Sequence, residues 1–292
     1  MIDYNEYREV KTLARELGIP EENLIRAFAI EKDFHARVLQ EEDNCKRKKM
    51  YQEVYETVHP IYGTKPVAAG ITNPKDRIVR LFKKELSGKS ILEVGCGNGL
   101  FLASVAKLLP HKELVGIDIS APVLPGEQDG ISFILADIID FALDEKFDVV
   151  YSEHVIEHIA PADLAAHLNS VTKVLKEDGT LIICAPNRNF GPNDVTRILD
   201  CSHTGKIAAM GTHLHEPTHG ELMELLGNYG FTLFQTIFPF MKVRNYLGAL
   251  RFPAKIISSI EKNTVAMRFL HAIRFRASCI ARFDTILICK KG

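Results

Sequence analysis

A chain of 292 residues, 46% hydrophobic and 25% charged, has the composition of a soluble globular protein and the length for one large domain carrying a helical appendage. Lys and Arg (36) balance Asp and Glu (37), so a formal net charge of -1 singles out no class of partner. The charged opening MIDYNEYREVKTLARELG has no apolar region of a secretory signal, no apolar run nears the ~18 residues of a membrane span, and scattered cysteines without a Cys-x-x-Cys pair exclude a zinc knuckle and fit a reducing, cytoplasmic setting.

From about residue 3 to 88, apolar positions such as Leu24, Ile25, Phe28 and Ala29 recur at helical spacing. Residues 1–70 are expected to form an N-terminal helical extension. Its charged stretch QEEDNCKRKKMYQEVYETVHPIYG is read as a solvated helix face. In TNPKDRIVRLFKKELSGK, Asn73 and Pro74 start a further helix and Gly88 stops it.

From Ser90 onwards short apolar runs alternate with amphipathic segments. Strands are expected at SILEVGCG, ELVGIDIS, ISFILADI, FDVVYS, TLIICAP, FTLFQTIFPF and RFDTILICKK, and helices at about 98–109, 161–177 and 217–229. That alternation implies a parallel sheet covered on both faces, in one domain over residues 71–292. The link SAPVLPGEQDG is broken by Pro and Gly and leaves room for a reduced crossover helix only. A long helical insertion is expected at 241–281, ahead of the last strand.

The segment ILEVGCGNGLF carries the most information. A strand runs into Gly95-Cys96-Gly97-Asn98-Gly99 and then into an apolar helix, so the backbone turns sharply and a ligand can approach it at a helix N-terminus. Asp118 ends the next strand, about 20 residues on, where a carboxylate can accept ribose hydroxyls. Asp137 ends the third strand, placed to meet an adenine amino group.

The spacing Glu93-x-Gly95-x-Gly97-x-Gly99 departs from the Gly-x-Gly-x-x-Gly of dinucleotide binders, which argues against a nicotinamide enzyme. With Asp118, Asp137 and the order of elements, the chain from about Ile71 onwards resembles the class I S-adenosylmethionine-dependent methyltransferases. The resemblance implies a Rossmann-like α/β fold whose seven-stranded, mostly parallel sheet carries helices on both faces, with RFDTILICKK as an antiparallel last strand. It also implies S-adenosylmethionine as cofactor. Glu93, Gly95 and Gly97 would cradle its methionine part, Asp118 the ribose, and Asp137 with Ile138 the adenine. Cys96, Ile119 and Ser152 complete the expected cofactor set.

Ligands of such sheets sit off the strand C-termini, so VVYSEHVIEHI falls where chemistry would occur. If EHVIEHI turns helical, His154 and His158 are four residues apart and Glu157 shares their face. That arrangement suits a general base, His154 or His158, or a divalent metal. The pattern is similar to the ubiquinone-pathway O-methyltransferases and the small-RNA 2′-O-methyltransferases, some of which bind a metal through Glu-x-x-Glu-His and a later His. By that resemblance the ligands would be Glu157, His158 and His215. His154 stands where those relatives have their first Glu, with Glu153 one place off. His203 and His219 are read as surface or loop residues. In the loop APNRNFGPNDVTRILDCSHTGKIAAMG, Arg188, Asn189 and Arg197 are candidate acceptor contacts.

Within 241–281 the bases are Lys242, Arg244, Arg251, Lys255, Lys262, Arg268, Arg274 and Arg276, with Arg282 just beyond, against a lone acid, Glu261. The segment could lie on an anionic membrane surface, face an anionic acceptor, mate with another subunit, or form a lid with a solvated basic face. The expected reaction is methyl transfer to a hydroxyl of a small molecule or glycan, by a cytoplasmic chain with a peripheral contact at the inner membrane face. RNA 2′-O-methylation is the alternative enzyme, without an aromatic RNA platform in the sequence to support it. An inert cofactor-binding scaffold is the alternative outside enzymes, and the intact glycines and acids argue against it.

Overall fold

The computed structural model describes residues 6–62, 73–120, 130–238, 250–277 and 284–292, the side chains of 273–277 excepted. The crossover expected at 121–129 and the side chains of Lys242, Arg244, Arg274, Arg276 and Arg282 fall outside that description. The chain forms two compact units. One gathers residues 1–68, 157–163 and 186–216; the other gathers 69–156, 164–185 and 217–292.

The first unit is built on α1 (Val10–Leu17), α2 (Glu21–Gln40) and α3 (Asn44–Tyr62). Gly18, with φ 70°, ends α1 by returning its N–H to the Ala14 carbonyl. Leu13 of α1 and Leu24, Ile25, Ala27 and Phe28 of α2 bury against Val195 and Ile198. The charged stretch expected to be a solvated face has an inward stripe instead: Arg47, Tyr51, Val54 and Val58 are buried along α3. Their spacing follows the helical period, so the charges of neighbouring positions point out while this row points in. Arg47 is held there by Asp163, with Nε to Oδ2 at 2.8 Å.

In the second unit the strands are β1 (Lys89–Val94), β2 (His111–Asp118), β3 (Ser132–Leu135), β4 (Phe147–Glu153), β5 (Leu175–Ala185), β6 (Phe231–Thr236), β7 (Phe252–Pro253) and β8 (Thr285–Lys291). They form one sheet in the order β3-β2-β1-β4-β5-β8-β6-β7. The pairs from β3 to β5 are parallel, and β8 runs antiparallel to both β5 and β6. Along β1, Leu92 and Val94 join one core cluster and Ile91 joins the other. This period of two means both faces of the sheet are buried. The helices are α4 (Asp76–Leu81), α5 (Lys83–Leu86), α6 (Leu100–Leu108), α7 (Leu164–Val174), α8 (His219–Gly227), α9 (Ala254–Lys262) and α10 (Thr264–Ala277). Thr218 and Glu221 close a capping box at the start of α8.

The α/β class and the antiparallel last strand are as expected, but among the described residues the sheet has eight strands, not seven. The extra one is β7, two residues paired with β6 through Gln235 and Pro253. It falls inside the insertion read as helical, and a strand of that length leaves no alternation to read. Pro253 then leads directly into α9.

Candidate active site

β1 ends at Val94, and the glycine loop carries the chain to Gly99, which caps α6. Gly95 has φ +74°, and a Cβ there would lie 2.3 Å from Cγ2 of Val155, which is itself buried. Left-handed backbone alone costs an L residue roughly 1–2 kcal/mol. At Gly97, φ +51°, an added Cβ would meet nothing within 4 Å, so the loop leaves open space against bare backbone. The Gly97 N–H donates to Oδ2 of Asp118 at 2.9 Å, and the Ser120 N–H donates to Oδ1 at 2.9 Å. The carboxylate retains lone pairs for further donors.

Oε2 of Glu93 and Oγ of Ser152 are buried and have no hydrogen-bond partner among the described residues. Their strands are neighbours, with Glu93 opposite Tyr151 and Val94 opposite Ser152. Burial pushes the Glu93 carboxyl well above the usual carboxylate range; Glu153 and Asp118 push it further, and Lys75 opposes them. A buried carboxyl with an unanswered oxygen favours a cationic or hydrogen-bond-donating ligand. The ammonium-bearing amino-acid part of S-adenosylmethionine has that chemistry, so the residues fit the implied cofactor. Glu153 itself is engaged: burial raises its carboxyl, but Lys75 at 2.6 Å outweighs burial and holds it low, and the Tyr151 hydroxyl donates to it at 2.7 Å.

Beyond the third strand, Oδ1 of Asp137 accepts from the Ile139 N–H at 2.9 Å. Nδ1 of His167, on α7, donates to the Ile138 carbonyl at 2.7 Å. Burial holds the His167 ring below its ordinary pKa, so it is neutral and donates through one nitrogen. His167 carries no signal in the sequence, where it is a lone histidine in an apolar helix. Replacing Gly95 by alanine is expected to weaken S-adenosylmethionine binding at least ~tenfold, since relief of the strain moves the loop. Unchanged affinity by calorimetry would remove the loop's role.

The segment after β4 corrects the expected helix. His154 is exposed, has φ 57°, and donates its N–H to the Cys184 carbonyl at 2.9 Å. Helical geometry is limited to a single 3-10 turn, Ile156–His158. His154 lies before that turn, so the four-residue alignment with His158 does not form. In the first unit, Glu157, His158 and His213 bring their ligand atoms within 4.8 Å of one another. The later histidine of this cluster is therefore His213, not His215. The Glu157 carbonyl accepts from the Leu214 N–H at 2.7 Å and the His215 N–H at 3.3 Å, which sets the two segments side by side. Nδ1 of His213 binds Oε1 of Glu216 at 2.8 Å, and Nδ1 of His158 binds the Thr212 carbonyl at 3.0 Å. A carbonyl only accepts, so the His158 Nδ1 carries its proton and the neutral ring's lone pair is on Nε2. Burial lowers the His213 pKa, but the Glu216 bond together with the charges of Glu157 and Asp194 outweighs it, and the net shift is upward.

His158 and His213 line a cavity of about 410 Å³ within the first unit, walled by Leu13 and Leu17 of α1, Glu31 of α2 and Tyr55, Val58 and Tyr62 of α3. Its volume is in the range of small-molecule sites. Arg197 also lines it, with Nη1 donating to Oε1 of Glu16 at 2.9 Å; Arg188 and Asn189 are not among the lining residues. His203, read as a surface residue, is buried with Nδ1 at 3.2 Å from the Phe190 carbonyl. His219, read likewise, is buried against Glu261.

Glu31 accepts from the Thr212 N–H at 3.0 Å and from the Tyr62 hydroxyl, which ties α2 to the strand of chain that carries His213. Burial lifts its carboxyl from 4.5 to about 7. A raised carboxyl contributes stability that is whole below 4.5 and is lost as pH rises through about 7. The rise corresponds to ~3 kcal/mol at most, at about 1.4 kcal/mol per tenfold in acidity. Stability is expected to fall between those pH values in the wild type and to fall less in Glu31→Gln. Parallel pH profiles by urea unfolding would contradict this.

A family model described as a methyltransferase domain matches residues 69–236. The mitochondrial ubiquinone biosynthesis O-methyltransferase of Candida albicans is 30% identical over 174 residues, 55% of this chain and 52% of that protein. The ubiquinone biosynthesis O-methyltransferase of Roseobacter denitrificans is 32% identical over 154 residues, 49% of this chain and 60% of that protein. The chain thus spans about half the length of the relatives it matches. Among solved structures, a plantazolicin methyltransferase in complex with a desmethyl plantazolicin analogue and S-adenosylhomocysteine superposes with a TM-score of 0.50 at 15% identity. That superposition covers 92% of this chain and 99% of the other, and shows a shared fold.

Proposed function

This chain belongs to the class I S-adenosylmethionine-dependent methyltransferases, and on that premise we propose that it methylates a hydroxyl oxygen of a small molecule or glycan. The reading is carried by His158 and His213 lining the cavity of the first unit. When bound, S-adenosylmethionine supplies an electrophilic methyl group. Glu93, Gly95, Cys96 and Gly97 would hold its amino-acid part, Asp118 and Ile119 the ribose, Asp137 and Ile138 the adenine, and Ser152 would offer its buried hydroxyl. His158 would take the proton of the acceptor hydroxyl at Nε2. Positioning supplies most of the remaining acceleration.

One carboxylate and two imidazoles also suit a divalent transition metal, held by Glu157, His158 and His213. The chemistry such an ion would supply is Lewis-acid stabilisation of developing negative charge on the acceptor oxygen. Behind the two rings the Thr212 carbonyl and the Glu216 carboxylate hold the Nδ1 atoms, which orients each ring as metal-binding histidines are commonly oriented. His158 is then a ligand rather than the base, and chelation separates the two roles. Cytoplasmic residence with peripheral membrane contact through 241–281 belongs to the same reading.

The test is transfer of labelled methyl from S-adenosylmethionine to a panel of catechols, glycosides and short RNAs, with and without a chelator and Mn2+. An oxygen-linked methyl on a catechol or glycoside is expected. Labelled RNA alone, or a nitrogen-linked product, would overturn the reading.

A further inference from the structure

The exposed sides of α9 and α10 combine large apolar side chains with unanswered positive charge. Val265 and Phe269 of α10 are 74% and 64% exposed. With Arg268 and Ala272, also exposed, they fall at positions i, i+3, i+4 and i+7 and so share one helix face. On α9, exposed Lys255, Ile256, Ser259 and Lys262 lie on another common face, and Leu250 just before β7 is exposed as well. The opposite side of α9 is anchored: Ala254 joins the core of the sheet, and Ile257 and Ser258 are buried.

Charge sorts in the same way. Glu261, the sole acid between 241 and 281, is turned inward, where Oε1 meets Nδ1 of His219 at 2.8 Å and Oε2 accepts the His219 N–H at 3.0 Å. Its side chain is 3% exposed. Arg251 is likewise spent on Glu85, at 2.8 Å and 2.9 Å. Lys255, Lys262 and Arg268 are left on the exposed side, and none of them forms an ion pair among the described residues. The local field is therefore basic in a chain whose total charge is near zero.

We propose that the exposed faces of α9 and α10 dock on an anionic lipid surface, with Val265 and Phe269 entering the headgroup boundary and Lys255, Lys262 and Arg268 meeting lipid phosphates. A nucleic acid would use the charges but give no reason for exposed valine and phenylalanine. A second copy of this chain would bring the same bases together and be repelled. An anionic bilayer surface satisfies both the apolar and the charged side chains. This docking rests on the peripheral-membrane reading above and is independent of what the acceptor is.

The test is sedimentation of the full chain with vesicles of phosphatidylglycerol and phosphatidylcholine, and with vesicles of phosphatidylcholine alone. Binding to the anionic vesicles only is expected, weakening with added salt. Val265→Ser with Phe269→Ser, and separately Lys255→Glu with Lys262→Glu and Arg268→Glu, should each lower the partition coefficient at least ~tenfold. Both variants should keep wild-type affinity for S-adenosylmethionine by calorimetry, which shows that the fold and the methyltransferase reading stand whether or not docking does. Failure to bind, equal binding to both vesicles, salt-insensitive binding, or variants that bind as the wild type does would overturn it. So would light scattering that finds a dimer dissociated by the Phe269 substitution.

Discussion

His158→Ala is expected to lower turnover by roughly 10²–10⁴-fold while leaving S-adenosylmethionine affinity unchanged. The ring is fixed before any ligand arrives. Its Nδ1 is tied to the Thr212 carbonyl, the Tyr55 ring stands edge-on at 5.9 Å, and the His213 ring does so at 4.8 Å. Such fixing lets one nitrogen act at one place, and alanine removes it without touching the glycine loop. His213→Ala should follow with a comparable loss if a metal is held, because two imidazoles and a carboxylate share one ion. His215→Ala is the internal control: its backbone N–H remains on the Glu157 carbonyl, and its side chain lies outside the cluster. Steady-state rates with an acceptor from the labelled screen decide the matter. Full turnover in His158→Ala would end the assignment, and a His215→Ala loss matching that of His213→Ala would move the cluster.

The cofactor end of the sheet was legible because it is written in local geometry. A short strand buried on both faces, glycines at left-handed positions and an acid at the next strand end are all short-range features, and each answers to one local requirement. What failed was long-range. THLHEPTH offers two histidines of equal merit, and the choice of His213 is made by Glu216 behind it and by the Glu157 carbonyl alongside. Neither is visible without the fold. The composition of the first unit was hidden for the same reason: residues 157–163 and 186–216 group with the N-terminal helices across the whole stretch 69–156. Arg47 reads as one more surface charge until Asp163 is found beside it. Glu261 reads as a stray acid in a basic segment until His219 takes it inward, and the same turn makes the outer face uniformly basic.

Asp163→Ala is expected to destabilise the first unit by about 3 kcal/mol, the lower end for removing one partner of a buried ion pair. Both side chains are buried, Arg47 at 4% and Asp163 at 1% exposure. The pair is bidentate, with Nε to Oδ2 at 2.8 Å, and Arg47 also donates to the Glu41 carbonyl at 2.7 Å. Tyr51 joins it: its oxygen accepts from the Ala160 N–H at 2.7 Å, and its hydroxyl lies 3.4 Å from Oδ2 of Asp163. Losing the carboxylate strands a guanidinium that has little water to turn to, which is why one-sided removal costs more than the pair contributes. The double replacement Arg47→Met with Asp163→Leu should recover most of the loss, since no buried charge is left unanswered. Urea unfolding of the three chains, followed by circular dichroism, measures this directly. A double variant no more stable than Asp163→Ala would mean that shape at this point, and not charge, holds α3 to the segment bearing Glu157 and His158.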